Sequence, residues 1–132
     1  MLEEKFNDIS ALILRIVFGG LMLVNHGWGK MMKFFGDEPI KFADPIGLGE
    51  TTSLGLAVFA EALCAFLIVI GLRTRLAVVP LVITMLVAIF VIHISDPFKK
   101  MELGIIYLFA YVVIALLNSG RYSVDALISK NK

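Results

Sequence analysis

A chain of 132 residues that is 59% hydrophobic, with a mean hydropathy of +0.91, carries more apolar surface than a soluble domain of this size can bury. A formal net charge of +1 excludes the electrostatic footprint of a nucleic-acid binder, and one cysteine, Cys64, excludes an internal disulfide and the two-cysteine route of thiol–disulfide exchange. At about 20 residues per span, the apolar material suffices for four transmembrane helices. An all-α integral membrane domain over 1–132, with the lipid bilayer as its solvent, is expected.

The N-terminal segment MLEEKFND is acidic and lacks the basic region of a cleaved signal peptide, so the first span, over about 9–27, is expected to be retained. Its core, LRIVFGGLMLVNHGWGK from Leu14 to Lys30, is apolar yet carries Arg15, His26 and Lys30. At about 100° per residue, Arg15, Gly19, Met22 and His26 share a narrow stripe with Lys30 near its edge, a face suited to protein or trapped water. Gly19-Gly20 fits close helix contact, Gly27 and Gly29 loosen the helix end, and Trp28 sits where an interfacial anchor belongs. The segment 31–52 mixes Phe34, Phe35 and Phe42 with charged residues, Pro39 and Pro45. It reads as a surface loop covering one end of the bundle.

The second span, about 53–72, holds Glu61 near its middle, and Gly71 closes it before a tight Arg73-Thr74-Arg75 turn. The third, about 76–93, has Pro80 near its start, where a missing N–H is tolerated, and ends in His93-Ile94-Ser95-Asp96-Pro97. The fourth, about 101–118, opens with Glu102 and carries Tyr107 and Tyr111, which read as packing or belt residues. Asn118-Ser119-Gly120 ends it. In the tail that follows, Arg121 to Lys132, Gly120 is expected to take a positive φ, Ser123 to start a short helical turn, and Arg121 to anchor the chain beside headgroups or Asp125.

Orientation follows the basic residues. Lys5, Arg73, Arg75, Arg121, Lys130 and Lys132 fall on the side of the termini, and Lys30, Lys33, Lys41, Lys99 and Lys100 on the other. The tight Arg73/Arg75 turn decides for cytoplasmic termini.

Depth arithmetic at about 1.5 Å per residue brings distant residues to one level. His26 and His93 each lie roughly 25 Å from the inner end of their spans and Glu102 about 23 Å. Lys30 and Asp96 stand just outside. A polar cavity holding His26, His93 and Glu102, walled by Trp28 and part of the 31–52 loop, is expected near the outer surface. Arg15 and Glu61, at about 9 and 16 Å, are within reach of an intramembrane ion pair linking spans one and two. These residues also have plainer readings: the ion pair as a register lock, Lys30, Asp96 and Lys99 as interfacial residues, His93 as a helix cap, and Cys64 as packing.

LRIVFGG followed by HGWGK, then FAEALCAFLIVIGLRTRLA, VAIFVIH and GRYSVD closely resemble the DoxX family of small four-helix bacterial and archaeal membrane proteins, from about Ala11 to Asp125. The matching positions are Arg15, His26, Gly27, Lys30, Glu61, Gly71, His93, Gly120, Arg121, Ser123 and Asp125. The family is named after a small subunit associated with thiosulfate:quinone oxidoreductase, so the resemblance implies an inner cell membrane location and association with a membrane redox complex. It leaves the reaction open.

Two function classes follow. In one, the chain is an accessory redox subunit whose outer cluster binds a quinone, with His26 or His93 donating to a carbonyl oxygen and Glu61 or Glu102 passing protons. A b-type haem held by His26 and His93 is a variant that a visible Soret band would reveal. In the other class, it is a non-catalytic membrane component that binds a partner or a small solute. No flavin or nucleotide fingerprint, cysteine cluster or metal-ligand motif is present, so a protein partner would bring the electrons.

Overall fold

The structure is a computed structural model describing residues 1–131. Lys132, counted above with the tail, lies outside the described residues. Among those residues there are only helices. Four are long and apolar enough to cross a membrane: α1 Leu2–Phe34, α2 Glu50–Ile70, α3 Thr74–Ile92 and α4 Phe98–Leu117. A short α5, Val124–Lys130, follows. Most large apolar side chains on the outside of the bundle, Phe59, Phe66, Phe90, Phe109 and Leu116 among them, are exposed as a lipid-facing surface requires.

α1 exceeds its expected bounds at both ends. Glu3 and Glu4 sit in its first turn, where carboxylates complement the helix dipole, and no proline interrupts the sequence before Pro39. Gly27 does not loosen the helix. A methyl group built there would stand 2.0 Å from the Glu61 carbonyl oxygen and 2.4 Å from the carbonyl carbon, so Gly27 is the point at which the backbones of α1 and α2 touch. Gly19 makes a second, looser approach, 3.1 Å from Ile68 and Val69, whereas Gly20 meets nothing within 4 Å.

Wide i→i+5 turns interrupt three of the spans: Arg15–Gly19 and Leu23–Gly27 in α1, Phe59–Cys64 in α2 and Ala88–Ile92 in α3. Each adds a residue to a turn and shifts the faces beyond it, a device concentrated at functional sites. The first three contain Arg15, His26 and Glu61, and the fourth delivers His93, whose N–H bonds the Ala88 carbonyl at 3.0 Å.

At the end of the bundle that carries both termini, α2 stops in a Schellman arrangement: Gly71 takes φ +73°, with Leu72 N–H on the Leu67 carbonyl at 2.9 Å and Gly71 N–H on Ile68 at 3.1 Å. Arg73 is also left-handed, at φ +48°. Pro80 lies in the second turn of α3, further in than expected, and the helix continues through it. α4 ends at Leu117, with Asn118 already at φ +63° before Gly120 at +74°. Ser123 caps α5, its hydroxyl accepting from the Ala126 N–H at 3.1 Å, as the sequence predicts.

Candidate functional site

Arg15 and Glu61 do not form a pair. Arg15 is 1% exposed and its guanidinium is held by backbone carbonyls: Nε donates to Ile68 at 3.0 Å, Nη2 to Val69 at 3.3 Å and Tyr122 at 3.0 Å, and Nη1 to Ser119. The turn beginning at Arg15 and the Gly19 contact bring it to the C-terminal end of α2, where carbonyls lack intrahelical donors and the helix dipole favours a cation. Arg75 does the same for α4, donating to Ala115 at 2.8 Å. Nearby, Asp125 accepts from the Arg73 N–H at 3.0 Å and lies 2.5 Å from the Ser119 hydroxyl, which in turn meets Thr74 at 2.8 Å. Burial raises the Asp125 pKa, but the Arg73 and Thr74 N–H groups, Ser119 and the Arg73 charge outweigh it and hold the carboxyl below the usual range. The Arg121 side chain is exposed and its N–H donates to Asp8 at 3.0 Å, so the ion pair with Asp125 is absent and Asp125 instead closes the start of α3.

At the opposite end Glu61 meets Lys30, whose Nζ lies 3.0 and 2.9 Å from its two carboxylate oxygens. Glu61 is 4% exposed, and the Gly27 contact explains its partner: where α1 and α2 touch, the lysine less than one turn beyond Gly27 reaches over the crossing to the carboxylate. Depth alone had matched Glu61 to the wrong cation, because rise along a helix says nothing about the direction in which a side chain leaves it.

The Lys30–Glu61 pair borders a cavity of about 410 Å³ that His26, His93 and Tyr107 also line. The His26 ring stands edge-on to Tyr107, centroids 5.7 Å apart at 87°, and Tyr107 stacks on Tyr111 at 5.8 Å. The Tyr111 hydroxyl is anchored on the Phe18 carbonyl at 3.2 Å. The side-chain hydrogen bonds include none to the His26 ring or the Tyr107 hydroxyl, and no such buried atom is left sealed without a partner, so both remain available to a molecule in the cavity. His93 Nδ1 lies 2.8 Å from Asp96 Oδ2, and that contact, helped by the Lys100 charge, holds the Asp96 carboxyl low against the opposing effect of burial.

Phe42, Ala43, Pro45 and Ile46 of the loop after α1 close over this space. Asp44 accepts from the Ser53 hydroxyl at 3.0 Å, and the Lys33 ammonium caps the Lys41 carbonyl and lies 5.9 Å from the Phe42 ring centre. Glu102 is exposed, directly after the 3-10 turn that opens α4, and does not line the cavity. Trp28, 56% exposed, does not wall it either. Among the described residues no group of three or more His, Cys, Asp or Glu is placed to hold a metal ion.

The DoxX family model matches residues 10–94, more than half of the chain and every span that contributes His26, Lys30, Glu61 or His93. The chain belongs to the DoxX family. A Bacillus subtilis (strain 168) protein named "Putative oxidoreductase CatD" is 30% identical over 131 residues, covering 98% of this chain and 94% of the relative. No solved structure matches.

Within this DoxX chain, Tyr107 is the residue that sequence reasoning placed as packing and the structure places on the cavity. Its signal was present in the spacing: Gly104, Tyr107 and Tyr111 fall on one face of α4, and Gly104 opens that face to Ile89 of α3.

Proposed function

We propose that this DoxX-family protein is an accessory subunit of a membrane redox complex and that its cavity holds a quinone-class molecule. The observation that supports the reading best is an apolar cavity in which the His26 ring and the Tyr107 hydroxyl, without hydrogen-bond partners among the described residues, stand next to a Lys30–Glu61 pair whose carboxylate is buried. Such a site binds a flat apolar molecule with carbonyl oxygens: the cavity body takes the ring and the two donors orient it. Leu56 and Ile83 line the cavity and are also 50% and 55% exposed on the outside of the bundle, so a lipophilic molecule can enter from the bilayer.

When bound, a quinone supplies two-electron, two-proton chemistry. The protein's part is to hold and deliver protons. The Lys30–Glu61 pair borders the bound molecule as a proton donor and acceptor, and the His93–Asp96 pair offers a route to water at the cavity end. A partner subunit brings the electrons, in keeping with the word oxidoreductase in the name of the Bacillus subtilis relative. The reading includes a bacterial or archaeal cytoplasmic membrane, cytoplasmic termini and a cavity facing the outer side.

The test is titration of a short-chain quinone onto the purified protein in nanodiscs, followed by thermal stabilisation. Saturable binding is expected, weakened about tenfold by either His26→Ala or Tyr107→Phe, the worth of one hydrogen bond of about 1.4 kcal/mol. Absence of saturable binding, or unchanged affinity in the double variant, rules the site out.

A further inference from the structure

A second concavity, about 510 Å³, lies at the end that carries the termini. It is bounded by α1 through Leu12 and Arg15, by the end of α2 through Val69 and Ile70, and by the tail through Arg121 and Lys130. Three of the residues that line it are cations and none is a carboxylate.

Among the described residues the charge there has no ion-pair partner. Among the described residues the ion pairs are Met1–Glu4, Lys30–Glu61 and His93–Asp96. Arg15 is satisfied in hydrogen bonds by four neutral carbonyls, which leave its positive charge in place. Asp125, on the same tail, turns its carboxylate oxygens to the Arg73 N–H and the Ser119 hydroxyl. Asp8, beside Arg121, accepts that residue's backbone N–H.

From this juxtaposition we infer that the groove is a binding site for the phosphate of an anionic membrane lipid. Arg121 and Lys130, both exposed and without an ion-pair partner among the described residues, grip the phosphate oxygens, and Arg15 behind them supplies a fixed positive field. The surroundings select a lipid over free phosphate. Leu12, Val69, Ile70 and Leu127 line the same groove, so acyl chains leaving the headgroup find apolar wall at once. The tail is thereby fastened to the bundle by Asp125 on one side and to the membrane on the other.

The experiment is native mass spectrometry and thermal stability of the full chain with phosphatidylglycerol, phosphatidylcholine or inorganic phosphate as the added probe. Phosphatidylglycerol is expected to bind at least tenfold more tightly than phosphatidylcholine and to raise the melting temperature. Arg121→Gln/Lys130→Gln, which leaves the Arg15 cage and the Asp125 contacts untouched, is expected to erase that preference, whereas Lys99→Gln at the opposite end retains it. Equal affinity for both lipids, or a preference that survives the double variant, overturns the site. Inorganic phosphate competing as strongly as the lipid overturns its assignment to a lipid.

Discussion

The two ends of the bundle handle the same difficulty, charge inside a membrane, in opposite ways. At the end with the termini, Arg15 is satisfied by backbone carbonyls that cannot move without unwinding a helix or a turn. At the other end Lys30 and Glu61 satisfy each other through flexible side chains beside open space. A backbone cage fixes a charge, while a side-chain pair can trade partners or protons. With the proposed quinone site at the second end, the contrast sets structure at one end and chemistry at the other.

The largest expected effect follows from the rigid end. Arg15→Leu strips the donors from carbonyls of Ile68, Val69, Ser119 and Tyr122 and should destabilise the protein by about 4 kcal/mol. Reversible unfolding in detergent measures it. A loss under 1 kcal/mol would mean that lipid or water replaces the cage.

Next comes the helix crossing. Gly27→Ala must push two backbones apart and is expected to cost about 2–3 kcal/mol and to weaken quinone binding by displacing Lys30 from Glu61. Gly20→Ala, with nothing within 4 Å, should be neutral or stabilising by up to about 1 kcal/mol. Similar melting temperatures for the two variants would remove Gly27 as the contact that positions the site.

At the cavity end, Lys30→Met leaves a buried carboxylate and Glu61→Leu a half-buried ammonium, so the two single losses should sum to more than the loss in the double variant. A double-mutant cycle should give a coupling of about 1–3 kcal/mol. The double variant should remain folded yet lose ligand affinity. Additive losses would break the pair, and Glu61 would then stand as a free carboxylate.

The sequence made the spans legible because runs of about 20 apolar residues have few alternatives, and it made the level of His26 and His93 legible because rise per residue is nearly constant. It could not show azimuth. The Leu23–Gly27 turn moves Gly27 into the buried face and leaves His26 beside Tyr107, and depth taken without azimuth misassigned the partner of Glu61 and brought in Glu102. The tail was read correctly in the positive φ of Gly120 and the cap at Ser123, although the helix already ends before Asn118, and incompletely at Asp125, which also bonds Arg73, 52 residues away.

The smallest effect separates the ends by pH. The Asp125 pKa is depressed in the fold, so its stabilising contribution is complete above the ordinary carboxylate value near 4 and is lost as pH falls through the depressed one. Asp125→Asn should therefore narrow the gap between melting temperatures at pH 6 and pH 3. An unchanged gap would show that the contact with Arg73 is not maintained in solution.

The Arg15 cage also bears on how the protein is made. The carbonyls of Ser119 and Tyr122 stand 104 and 107 residues after the arginine they receive, so a nascent chain holds a guanidinium in its first span long before the last two acceptors leave the ribosome. Until then α1 is expected to lie short of its final depth, and the closing step of assembly belongs to the segment that follows α4. A chain stopped after Leu117 should insert all four spans yet leave α1 shallow, which cysteine accessibility at Leu12 would report as labelling that the full chain resists.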